Sequence, residues 1–102
     1  MSDLLKAMEN QVMRNQLLEL FQEAGPNGAN EKVIAMAMKK AGYPVQPEQL
    51  KKDLYYLQKK GLIECVKCEN KALKINMDVY MITPDGIDAL EGTTEVPGIG
   101  VE

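Results

Sequence analysis

At Gly61 the spacing of the apolar residues changes, and a chain with a different period on each side of one residue has few ways to fold. Ahead of that glycine the spacing is helical: Leu50, Leu54 and Leu57 share a stripe about 60° wide when residues are placed at 100° steps. Behind it the period falls to two. Leu73, Ile75, Met77, Val79 and Met81 lie on one face of an extended segment, with Lys74, Asn76, Asp78 and Tyr80 on the other. Helices collected ahead of a β-hairpin make an α+β chain, mostly α. The 102 residues suit one domain rather than two.

Turn residues divide the helical part. Gly25-Pro26-Asn27-Gly28 and Gly42-Tyr43-Pro44 are breaks, and Asn70 supplies the hairpin turn. Ser2 can cap a first helix of about twenty residues that ends before Gly25. Inside it Met13, Leu17, Leu20, Phe21 and Ala24 share one stripe, whereas Leu5, Met8 and Val12 lie on another, rotated by about a third of a turn. Either there are two helices or one long helix meets two surfaces. In the second case residues 1–12 are a helical extension, and Leu5, Met8 and Val12 are a candidate dimer interface.

Asn30 caps the next helix, with Val33, Ile34, Met36, Ala37 and Ala41 on its inner side and Gly42 as its stop. Gln46-Pro47 opens a third helix, since proline lacks the N–H that is unpaired at a first helical position. Thr83 caps a last short helix, residues 84–90, with Gly92 beyond it. Three helices, a two-stranded β-wing and a short C-terminal helix form the winged helix-turn-helix arrangement, spanning residues 1–92. Residues 93–102, TTEVPGIGVE, hold too few core formers to fold alone and read as a tail.

Much chemistry is excluded. The chain has no His and a single Ser, at position 2, so no Ser–His or Cys–His nucleophile can be assembled. Cys65 and Cys68 have no second pair and no His to complete a zinc site. They fall in a run that reads as a strand, where residues three apart point to opposite faces. The expectation is a protein that is not an enzyme, with no metal, cofactor, small-molecule ligand or membrane span, working in the cytoplasm.

The net charge of −3 hides a segregation. Residues 31–74 hold ten Lys against five acids, residues 1–30 carry −2, and residues 75–102 carry six acids and no base. A basic centre between acidic flanks is the footprint of a modest nucleic-acid binder. Opposite its leucines the third helix presents Glu48, Lys52, Tyr55, Tyr56 and Lys59, with Gln49 and Lys51 on the shoulders. Gln can read adenine, Lys guanine or phosphate, and a Tyr hydroxyl can meet a phosphate oxygen. Lys67, Lys71 and Lys74 of the wing could meet the DNA backbone. Each lysine, taken singly, also fits a solvated helix face, and Glu48 with Lys52 an i,i+4 pair.

The segments LKKDLYYLQKKGLIE (50–64) and VYMITPDGIDALEG (79–92) resemble winged-helix transcription regulators, in which a recognition helix ends in L-x-x-x-G-L-I and the wing returns through L-T-x-x-G. More narrowly, NEKVIAMAMKKAGYPVQPEQLKKDLYYLQKKGLI and ITPDGIDALEGTTEVPGIG resemble a family of small proteins of Mu-like bacteriophages and prophages. That family joins an Asn-Glu helix start, an aromatic-Leu pair (here Tyr56-Leu57), a T-x-x-G step and a V-P-G-[IV] ending. The resemblance implies a phage-encoded protein with a regulator-like winged-helix domain and assigns it no biochemical activity. The basic centre and the outer face of the third helix point to binding of double-stranded DNA, and the off-phase stripe to a homodimer. The exposed positions carry Lys where such proteins would carry Arg, which weakens bidentate base reading. A winged helix that docks on a protein instead is the rival reading.

Overall fold

The computed structural model describes residues 3–92, so the Ser2 cap and the 93–102 tail lie outside the described residues. The elements are α1 (Asp3–Ala24), β1 (Ala29–Asn30), α2 (Glu31–Lys40), α3 (Pro47–Lys59), β2 (Ile63–Asn70), β3 (Ile75–Ile82) and α4 (Pro84–Glu91), with a 3-10 turn at Gly25–Asn27. Local chemistry sets their ends. The Asn30 side chain accepts from the Val33 N–H at 2.8 Å, satisfying a donor that the first turn of α2 leaves open. Asn70 accepts from Leu73 N–H at 3.1 Å inside the wing turn, where Lys74 adopts φ 55°.

One interlock joins the helical part to the wing. The Thr83 hydroxyl caps α4 by accepting from Gly86 N–H at 3.1 Å, and donates to the Gly61 carbonyl at 2.6 Å. The Thr83 N–H donates to Leu62 O at 3.0 Å. Gly86 lies so close to that carbonyl that a Cβ would collide with it. The T-x-x-G step is therefore a packing device, binding the end of the wing to the corner after α3.

The sheet is antiparallel with order β1-β3-β2. Ile63 pairs with Ile82 at the base of the hairpin and Asn70 with Ile75 at its tip. β1 is an addition to the two-stranded wing expected from the sequence. It sets Ala29 beside Tyr80 and Asn30 beside Val79, and two residues are too few to carry a period.

The core joins Leu17, Leu18 and Phe21 of α1, Ile34 and Met38 of α2, Leu50, Leu54 and Leu57 of α3, then Leu62, Ile63 and Ala89. Burying each large apolar side chain contributes about 1.5–3 kcal/mol. Two faces differ from expectation. In α2 the inner stripe is Ile34 and Met38, one turn apart, while Val33 and Met36 are 52% and 58% exposed. A helix packed along one side covers a narrow stripe, and its other apolar positions face out. In β3, Tyr80 and Ile82 pack against the core, while Ile75 and Met77 of the alternate face stay exposed. Alternation says which residues share a face; the covered face is decided at the hairpin base, where Ile63 and Ile82 meet the core. Leu73 belongs to the turn and not to the strand.

Residues 3–24 are one helix and not two. Among the described residues, no helix is long and apolar enough to cross a membrane.

Candidate nucleic-acid interface

Proline at its first position and the stripe of Leu50, Leu54 and Leu57 fix α3 against the core. Burial of that stripe turns Lys51, Lys52, Tyr55 and Lys59 outward together, all exposed. The Lys59 ammonium lies 5.4 Å from the centre of the Tyr55 ring, which holds the cation over an aromatic face. Among the described residues none of these lysines is in an ion pair, Lys52 with Glu48 included.

Two residues expected on or beside this face turn elsewhere. Gln49 is half-buried, and its side-chain amide donates to Asp53 Oδ1 at 3.2 Å. Tyr56 is also half-buried, with the Arg14 guanidinium 3.8 Å above its ring and the Lys60 ammonium 5.7 Å from it. By helical stepping, residues 49, 53, 56 and 60 form the strip of α3 that borders α1. That neighbour removes them from the outer face.

Asp53 is the buried charged residue of this strip, 1% exposed, with Arg14 Nε 3.8 Å from its Oδ1. Loss of hydration pushes its pKa up, against the Gln49 hydrogen bond and the Arg14 charge, which pull it down. Neither Arg14 nor Asp53 was singled out as a site residue from the sequence. The available signal was Asp53 itself, an acid between Leu50, Leu54 and Leu57.

On the wing, Lys67 lies in β2 opposite Asp78, and Lys71 and Lys74 lie in the four-residue turn. All three are exposed, and none is in an ion pair among the described residues. The root of the wing has a different character. A cleft of about 550 Å³ between hairpin and helices is lined by Glu31, Lys32, Val45, Met77, Asp78 and Tyr80. Burial, then the neighbouring Cys65, Asp78 and Glu31, push the Tyr80 phenol above its ordinary pKa. The wing turn and α3 therefore carry lysines, while the cleft carries charges of both signs, Glu31 and Asp78 with Lys32. Cys65 is half-buried opposite Tyr80 and Cys68 is exposed opposite Met77, on alternate faces of β2. Among the described residues no cluster of three or more metal-ligating side chains exists.

At the other end of the molecule, Leu5, Met8 and Val12 are 40%, 55% and 48% exposed. With Tyr43, Pro44 and Val45 they border a groove of about 670 Å³ beside the start of α3.

No family model matches the chain, and no curated protein is significantly similar to it. Solved structures do match. A PadR family transcriptional regulator from Eggerthella lenta superimposes with a TM-score of 0.58 over 83% of this chain and 74% of that one, at 18% identity. The two chains share a fold. It is the winged helix, mostly helical α+β with an antiparallel sheet.

Proposed function

We propose that this protein binds double-stranded DNA and acts as a transcription regulator, not as an enzyme, in the cytoplasm of a bacterial host. The observation that carries this reading is the outer face of α3, where Lys51, Lys52, Tyr55 and Lys59 stand clear of the core on the third helix of a winged-helix fold. In a helix-turn-helix that helix enters the major groove. Lys67, Lys71 and Lys74 extend the positive charge along the wing toward the DNA backbone. Gln49 and Tyr56, engaged with Asp53 and Arg14, support the reading face rather than forming it. Lysine as the dominant contact favours phosphate positioning over bidentate base reading.

The exposed stripe of Leu5, Met8 and Val12 supports a homodimer, which would double a small footprint. The Asn30-Glu31 helix start and the Val96-Pro97-Gly98-Ile99 ending support a phage or prophage origin, and the tail 93–102 is read as separate from the winged-helix domain.

A second reading rests on the outward face of the wing. Val66 and Ile75 are 43% and 40% exposed on one side of the hairpin, which suits docking on a protein. Titration with a mixed-sequence DNA duplex separates the two. The DNA reading expects binding at low salt that Lys52→Glu/Lys59→Glu abolishes, with the melting temperature unchanged. A folded protein that binds no duplex supports the docking module instead.

A further inference from the structure

Arg14 is the chain's single arginine, and it stands where the uncovered and covered parts of α1 meet. Its guanidinium stacks at 3.8 Å on Tyr56, and its Nε lies 3.8 Å from Asp53 Oδ1, the oxygen that Gln49 also reaches at 3.2 Å. The pair is removed from water, with side-chain exposures of 19% and 2%. It is also imperfectly satisfied: Arg14 Nε and Asp53 Oδ2 are buried and have no hydrogen-bond partner.

Such a pair is a poor source of stability. Desolvating two charges offsets most of their attraction, and apolar residues of similar volume are often as stable or more so. Its distinguishing property is direction. Leucine against leucine tolerates a range of rotations, whereas a planar guanidinium lying over a ring face with a carboxylate beside it accepts fewer. Tyr56 and Asp53 lie on the α1-facing strip of α3, and Lys52 and Tyr55 precede them by one residue each on the outer face. Any roll of α3 about its axis therefore moves both sets together.

We propose that Arg14 is a positioning residue: by gripping Tyr56 and Asp53 it fixes the rotation of α3 against α1, and so the direction in which Lys52 and Tyr55 face. This rests on the DNA reading above for its functional consequence and stands on the geometry alone for its structural one.

Two variants test it, each with three readouts: melting temperature, affinity for a mixed-sequence duplex, and amide NMR shifts of Lys52, Tyr55 and Lys59. Arg14→Lys keeps the charge and loses the planar stack. It should melt near the native temperature, bind duplex about three- to tenfold more weakly, and shift the three outer amides. Arg14→Met/Asp53→Leu removes both charges at similar volume. It should melt as high as the native protein or higher, and yet bind about tenfold more weakly. A purely structural pair would move melting temperature and leave affinity and outer amides alone. Unchanged affinity and unchanged outer amides in Arg14→Lys overturn the positioning role, whether or not the double variant folds. If the native protein binds no duplex, the DNA reading fails by itself, and the outer amides still decide whether Arg14 sets the rotation of α3.

Discussion

The two halves of α1 are built from similar residues and lead different lives. Leu17, Leu18 and Phe21 are fully buried, whereas Leu4, Leu5, Met8 and Val12 on the same unbroken helix are 40% to 70% exposed. Composition does not separate them; phase does. The C-terminal stripe points at α2, β3 and α4, which together cover it, and the N-terminal stripe borders an open groove with Tyr43, Pro44 and Val45. Apolar content alone thus identifies a helix without saying what it is for. One half holds the domain together, and the other is left exposed.

This contrast predicts effects of very different size. Phe21→Ala should cost about 3–5 kcal/mol of unfolding free energy, because it empties a filled site, while Met8→Ala should stay within about 0.5 kcal/mol. Urea denaturation of both variants checks this, and equal losses would show that the N-terminal stripe is covered within the monomer. Next in size is association. Leu5→Glu/Met8→Glu should leave the urea midpoint close to native and convert a dimer to a monomer by sedimentation. An unchanged mass removes the dimer role from that stripe.

The smallest effect concerns Asp53, where α1 and α3 meet. Its raised pKa means that the folded chain takes up this proton more readily than the unfolded chain does. The contribution favours folding at low pH and is lost as pH rises through the folded-state pKa. Stability of the native protein minus that of Asp53→Asn should therefore fall as pH is raised upward from the ordinary Asp range. A difference that rises with pH would show that the Gln49 hydrogen bond and the Arg14 charge outweigh burial, and a flat one that they cancel it.

Much of the fold was legible in the sequence because its boundaries rest on local chemistry. Asn30, Thr83 and Gly92 occupy cap positions and Pro47 a first helical position, and these depend on their immediate neighbours alone. What was not legible depends on which side a neighbour occupies. The stripe of α3 follows from its leucines, yet nothing local says that α1 lies beside Gln49 and Tyr56 and withdraws both from the outer face. Likewise the alternation of Ile75, Met77 and Val79 defines a face, while the pairing of Ile63 with Ile82 determines that the core lies on the opposite one. For the candidate site, Lys52, Tyr55 and Lys59 are exposed on the face expected of them and Lys51 on its shoulder, whereas the Arg14–Asp53 pair needed the tertiary arrangement to be seen.

The salt dependence of duplex binding tests the central claim most directly. With roughly four to six phosphate contacts from α3 and the wing, log affinity should fall with log salt at a slope of about −4 to −5. Lys52→Glu/Lys59→Glu should lose binding at the lowest salt while keeping its fold. A folded native protein that binds no duplex at low salt, or a double variant that binds with native affinity and slope, would contradict the account.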